Sequence, residues 1–367
     1  MLETLKEIVV ENPGFYVGWG GLLIGIVFGV IVYRTNFCTM GSISDILSFG
    51  DYKRFRSWLL AAAVGILGVG MLEYIGVVDV ADSIYLTPNF GWLANIVGGL
   101  MFGFGMVFAG GCISRNLVRA GGGDLRSLVV LMFTGVFGFM TIGGLLGPLR
   151  VSLFGPATLD LTGRGMATQG VDEFLAAASG MGLAGANTAA VLVLAGAILV
   201  YCFKDAGFRT SPNHIFAGVG IGLCVVAGWF LTGLAQDEFA DVPVQLTSLT
   251  YVRPTGDTLD YMMRFTALGA PGFGVVTLIG ALLGGFLGAL SRGRLHLTTF
   301  ADKKDSIRNM FGAAFMGIGG VLALGCTVGQ GLTGVSTLAV GSFITLASII
   351  GGAVAGVKSL EFLLLRD

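Results

Sequence analysis

The apolar positions of this chain fall into long unbroken runs, without the period-two alternation or narrow helical stripes of a water-soluble fold. Nine runs approach the roughly 20 mostly apolar residues that a membrane-crossing helix needs. They lie at about 16–34, 57–77, 91–110, 127–148, 187–203, 214–234, 273–291, 308–324 and 337–357. Charged residues sit almost entirely between the runs, with Glu73 near the end of the second run as the exception. That scarcity argues against a proton relay of buried carboxylates. The segment before the first run carries Glu3, Glu7 and Glu11 against a single Lys6, the wrong charge for a cleaved leader, so the first run is expected to remain as a span.

The polar connections alternate in charge. Basic residues gather after the first, third, fifth, seventh and ninth runs: Arg34, Lys53 and Arg54, then Arg115 and Arg119, and so on to Lys358 and Arg366. The other side holds only Lys6, Arg150, Arg164, Arg253 and Arg264, together with acids such as Asp79, Asp82, Asp237, Glu238 and Asp241. Lys and Arg are retained on the cytoplasmic side, so the N-terminus is expected outside and the C-terminus inside. Composition agrees with the pattern: of 367 residues 54% are hydrophobic and 12% charged, where soluble domains carry about a quarter charged residues. A net charge of −1 gives no indication of nucleic acid. The 62 glycines against 8 prolines suit close helix packing, and Gly21, Gly25 and Gly29 at four-residue spacing form one such face.

Three apolar runs lead into a Gly- or Asn-led turn that carries a cysteine. They are Asn36-Phe37-Cys38-Thr39-Met40-Gly41, Gly110-Gly111-Cys112-Ile113-Ser114-Arg115-Asn116 and Gly325-Cys326-Thr327-Val328-Gly329-Gln330-Gly331. A shift of 214 residues places Gly98, Gly103, Gly105, Val107, Ala109, Gly111 and Cys112 on Gly312, Gly317, Gly319, Val321, Ala323, Gly325 and Cys326. The two copies would cross the membrane in opposite senses, the inverted repeat of many transporters, with halves at about 16–156 and 187–357 of one domain spanning 1–367. The same shift carries Cys38 to Val252, within Thr247-Ser248-Leu249-Thr250-Tyr251-Val252, and predicts a fourth, thiol-free break there.

Non-helical backbone at membrane depth survives only inside protein or beside a water-filled cavity. A short segment after each cysteine reads as a re-entrant half-helix whose N-terminus points toward the bilayer centre, where free N–H groups and the positive dipole end suit an anion. Weak S–H donors match a soft sulfur on the solute and allow its release, and thiosulfate fits both requirements. The plain alternative, a cysteine as small packing hydrophobe, is retained for Cys202 and Cys224 in ordinary spans. Asn36, Thr39, Ser42, Ser114, Asn116, Thr327 and Gln330 either complete the path or cap the half-helices. Arg115 and Arg119 either gather anions at the inner mouth or simply follow the charge rule. No CxxC exists and no cysteine lies at ligand spacing from His214 or His296, so neither metal nor cofactor is expected. The two histidines read as interfacial.

At these motifs, together with Ser248-Leu249-Thr250-Tyr251-Val252, the chain resembles the YeeE/YedE sulfur-transport family of inner-membrane proteins, whose YeeE branch takes up thiosulfate. The resemblance covers nearly the whole chain. It implies an all-α integral membrane fold of about nine transmembrane helices plus short re-entrant ones, arranged as pseudo-twofold halves in an hourglass. It also implies a path in which Cys38, Cys112 and Cys326 pass thiosulfate along by S–H contacts, without covalent chemistry, and a cytoplasmic TusA-like sulfurtransferase as partner. Because the chain ends at Asp367, just after the ninth run, that partner is expected to be a separate polypeptide. The segments 149–187 and 236–272 are longer than connections require and are expected to form either a cap or the entry vestibule on the outer side.

The resulting expectation is a multi-pass inner-membrane thiosulfate importer, without catalysis. The nearest variant is a path for another sulfur or selenium species. A rival from another class is a membrane thiol oxidoreductase, which needs paired thiols, and a third reading is a passive channel for a neutral solute.

Overall fold

The structure is a computed structural model that describes residues 2–237 and 243–365. Glu238, Asp241 and Arg366, three of the charges used to orient the chain, lie outside the described residues.

The described chain is helical almost throughout. In order come α1 (Leu2–Glu11), α2 (Pro13–Thr35), α3 (Thr39–Phe49), α4 (Lys53–Tyr74), α5 (Trp92–Phe108), α6 (Ile113–Gly121), α7 (Leu125–Ile142) and α8 (Gly147–Phe154). They are followed by α9 (Val171–Ser179), α10 (Leu183–Lys204), α11 (Ala206–Arg209), α12 (Pro212–Leu234), α13 (Val252–Met263), α14 (Phe265–Leu268) and α15 (Phe273–Leu290). Last come α16 (Lys303–Leu322), a π-helical turn (Gly329–Gly334) and α17 (Val340–Leu364). The only sheet among the described residues is an antiparallel pair, β1 (Asn89–Phe90) with β2 (Leu159–Asp160). It ties the loop after α8 to the start of α5.

Eight stretches are long and apolar enough to cross a membrane. Two of them contain an expected break: Pro13–Phe49 comprises α2 and α3, and Trp92–Gly121 comprises α5 and α6. The count departs from the nine expected because α16 opens with Lys303, Lys304, Asp305 and Arg308, which lower its mean hydropathy. From Asn309 onward α16 is apolar and packs between α5 and α7.

Glycine sets the closeness of the helix pairs. Gly25 and Gly29 of α2 lie over the Thr277 and Ala281 carbonyls of α15, where an added Cβ would stand 2.4 Å from either oxygen. Gly280 and Gly284 of α15 face back onto α2 in the same way. Backbones this close gain dispersion along their whole length without needing a hydrophobic drive, which lipid does not supply.

The packing partners correspond when α2 is matched with α12 and the later elements are matched by the 214-residue shift. α2 packs on α15 and α12 on α4; α5 packs on α17 and α16 on α7; α6 packs on α15 and the π-turn on α4. α3 and α13 occupy matching places, α3 against α4, α5 and α17, and α13 against α15, α16 and α7. α10, packed on α4 and α9, has no counterpart in this scheme.

Candidate functional site

All three breaks share one backbone device. Two residues before each cysteine the chain enters the left-handed region, at Asn36 (φ 53°), Gly110 (φ 71°) and Leu324 (φ 58°). That conformation ends the preceding helix and is easy only for glycine and, less so, for asparagine. Each cysteine then heads the next short helical segment. Cys38 and Cys112 are the N-caps of α3 and α6, and the Gln330 N–H closes a helical bond on the Cys326 carbonyl.

The sulfurs take the part usually played by a Ser or Asp cap. Cys38 Sγ accepts from the Gly41 N–H at 3.5 Å and Cys326 Sγ from the Gly329 N–H at 3.3 Å. Cys112 heads α6 without such a cap bond, and its sulfur lies beside Cys38 and Ser114 instead. A sulfur that accepts from its own helix keeps its S–H free to donate outward.

The structure brings two of these thiols together. Cys38 Sγ and Cys112 Sγ are 3.9 Å apart, although α3 and α6 come from different breaks. Ser114 Oγ lies 3.2 Å from Cys112 Sγ, and the Thr327 side chain, from the third break, also faces that thiol. Cys38, Cys112 and Cys326 are 5%, 1% and 1% exposed, so each lies in the interior. Cys38 and Cys112 supply the thiol pair that the oxidoreductase reading asks for; all five cysteines are unbridged. Cys202 and Cys224 lie in α10 and α12 away from the breaks, and Cys202 donates to the Arg56 carbonyl at 3.4 Å.

The polar neighbours divide into two groups. Asn116 Nδ2 donates to the Gly111 and Cys112 carbonyls at 2.9 and 3.2 Å. Its repeat partner Gln330 donates to the Ala323 carbonyl at 2.6 Å and accepts from Ser342 at 2.5 Å. Ser42 likewise donates to the Thr39 carbonyl at 2.7 Å. These side chains satisfy backbone freed by the breaks. Asn36 is exposed and accepts from Arg115 at 2.8 Å, which bridges the first and second breaks. Thr39 is buried beside Cys38, and Ser114 and Thr327 remain next to the sulfurs.

Arg119 donates to the Gly110 carbonyl at 3.1 Å and pairs with Asp124 at 2.6 Å. Asp124 also holds Arg126 at 3.2 Å, and Arg126 reaches Asp305 at 3.8 Å. Partial burial pushes the Asp124 carboxyl up, but the Arg126 and Arg119 guanidiniums outweigh that and leave it below its ordinary value. Arg119 thus braces the second break. Around Cys326 lie two tyrosines that the sequence did not single out as site residues. Tyr85 comes from the loop after α4, and Tyr251 caps α13 with its backbone N–H toward the Cys326 sulfur. Tyr251 stood in a quoted motif without a role, whereas nothing in its neighbourhood along the chain marked Tyr85.

The profile that describes sulphur transport proteins matches residues 34–355, from just before Cys38 to well past Cys326. The chain belongs to the Sulphur transport family. It is therefore a multi-pass membrane protein of sulfur transport rather than an enzyme. Among its relatives is the thiosulfate transporter TsuA of Spirochaeta thermophila, 26% identical over 330 residues that cover 88% of this chain and 92% of that one. The Escherichia coli thiosulfate transporter TsuA is 26% identical over 334 residues, covering 85% and 86%. The probable transporter YedE of Salmonella typhimurium is 29% identical over 105 residues, covering 29% of this chain and 24% of that one.

Proposed function

We propose that this protein carries thiosulfate into the cell through the interior lined by Cys38, Cys112 and Cys326. The observation that supports this most is the sulfur–sulfur contact of 3.9 Å between cysteines from separate breaks. Thr327 of the third break lies beside it. The two relatives named as thiosulfate transporters align along most of the chain and favour the same substrate.

The chemistry follows from the donors. A dianion at membrane depth needs compensation, and full positive charge would hold it too tightly for release. The N-terminal ends of α3 and α6 provide partial positive charge, and the thiols add weak S–H donors suited to the terminal sulfur. Cys38 and Cys112 are near enough for one sulfur to be handed between them without a bond being made or broken. Arg115, held by Asn36, gives the inner mouth its charge. The corresponding packing pairs support two inverted halves around this path, with α10 outside them. The charge pattern favours an inner-membrane protein with its C-terminus in the cytoplasm, delivering to a separate TusA-like sulfurtransferase.

The test is growth on thiosulfate as sole sulfur source in a bacterial strain that lacks its own thiosulfate and sulfate uptake. Growth on thiosulfate that appears with this gene and persists under excess sulfate supports the reading. Growth on sulfate alone, or growth on thiosulfate abolished by excess sulfate, contradicts it.

A further inference from the structure

The sulfurs of Cys38 and Cys112 meet at 3.9 Å although 74 residues of chain separate them. Both are free thiols and both are buried. Each heads a helix, Cys38 at the start of α3 and Cys112 at the start of α6, and a helix N-terminus is a setting in which thiols ionise and react. The one bond that such a pair can make with itself is a disulfide, with its sulfurs about 2.0 Å apart. Closing the contact asks the sulfurs to approach by roughly 2 Å. A change of rotamer at either cysteine moves its sulfur that far.

The surroundings keep the pair in register. Asn36, two residues before Cys38, accepts from Arg115, three residues after Cys112, at 2.8 Å. That bond joins the same two breaks beside the thiols. α2 packs on α6 and α3 on α5, so the helix ends that carry the cysteines already meet. Ser114 Oγ, 3.2 Å from Cys112 Sγ, can exchange a hydrogen bond with that sulfur as its charge changes. The other cysteines are placed differently. Cys326 Sγ accepts from the Gly329 N–H of its own segment, and Cys202 donates to the Arg56 carbonyl.

We infer that Cys38 and Cys112 are a redox modification site, where a peroxide drives a reversible disulfide that pins α3 to α6 and closes the path. One thiolate attacks a peroxide oxygen and the O–O bond breaks. The sulfur becomes a sulfenic acid, and the departing hydroxide takes up a proton as water. The second thiol attacks that sulfur, the S–S bond forms, and the sulfenic oxygen leaves as a second water. Two thiols thus give up two electrons and two protons, and one peroxide is reduced to two waters. A dithiol reverses the bond by exchange. The oxidised pair has no S–H left to donate, and two breaks from different parts of the chain are tied together. Its effect on uptake rests on the thiosulfate reading above, whereas the bond itself does not.

The experiment treats the purified full-length protein with hydrogen peroxide and follows thiol content, cross-linked peptides and thiosulfate uptake in proteoliposomes. Oxidation is expected to leave three of the five thiols titratable after denaturation and to yield a peptide pair joining Cys38 to Cys112. Uptake is expected to be lost and to return with dithiothreitol. A protein carrying both Cys202→Ala and Cys224→Ala is expected to respond as the wild type does, and Cys38→Ser or Cys112→Ser to form no cross-link. Thiols oxidised without that peptide pair overturn the inference, and so does cross-linked protein that still carries thiosulfate. If the reduced wild type carries none, the transport reading fails separately. The cross-link is then judged by the peptide pair and by a melting temperature that rises on oxidation, as a bond between distant segments requires; absence of either overturns it.

Discussion

At the scale of single residues, the breaks rest on backbone that few side chains accept. Leu324 is held at φ 58° where its repeat partner is Gly110 at φ 71°. Its side chain is 47% exposed, so packing gives little back for the strain. Leu324→Gly is expected to stabilise the protein by about 1 kcal/mol, the left-handed penalty less the added freedom of the unfolded chain, seen as a higher melting temperature with uptake intact. Gln330→Ala should do the reverse. It strands the Ala323 carbonyl and Ser342, for a loss of about 1–3 kcal/mol. Asp124 brings a pH dependence. Its carboxyl is held below the unfolded value of 3.8, so its contribution is complete above that pH and disappears as pH falls through the lower folded value. Asp124→Asn is expected to destabilise the protein at pH 7 and to flatten the melting-temperature profile only below the unfolded value of 3.8. The cysteines and their Gly or Asn neighbours were legible in the sequence because the repeat shift and the turn residues marked them. The capping work of Asn116 and Gln330 was not, because capping and lining a path call for the same side chains. Tyr85 was invisible because only the fold brings its loop against Gly334.

At the scale of elements, glycine decides how near the helices come. Gly25 and Gly29 of α2 meet Thr277 and Ala281 of α15 backbone to backbone, while Gly18 of the same helix has nothing within 4 Å of an added Cβ. Gly25→Ala must force the pair apart and is expected to cost about 2–3 kcal/mol. Gly18→Ala gains helix propensity and should be neutral or stabilising by roughly 0.5–1 kcal/mol. Thermal unfolding in detergent separates the two, and equal effects would contradict the packing described for α2 and α15. The four-residue glycine spacing on α2 was readable in the chain, but its partner was not, since nothing in a sequence names the facing helix. The missing eighth run has a similar cause: α16 spends its first two turns on Lys303, Lys304, Asp305 and Arg308, and hydropathy averages them with the apolar part. The fourth break expected near Val252 is where α13 begins, and Tyr251 rather than a thiol caps it.

At the scale of the whole molecule, the eight apolar stretches, the family match and the paired packing describe a sulfur-transport protein built around broken helices. The charge asymmetry carries a simple expectation: a fluorescent protein fused to the C-terminus, of a kind that matures only in the cytoplasm, should fluoresce, and a dark fusion would invert the orientation. Seven identities in register made a repeat the expectation from the sequence. The 3.9 Å approach of Cys38 and Cys112 was not legible there, because it depends on how α3 and α6 converge after separate breaks. That convergence is most directly tested by uptake of radiolabelled thiosulfate into proteoliposomes holding wild-type protein or Cys38→Ala, Cys112→Ala or Cys326→Ala. Folded variants with uptake reduced at least tenfold, Cys112→Ala most severely, are the expected result. Wild-type rates in all three would contradict a thiol-lined path.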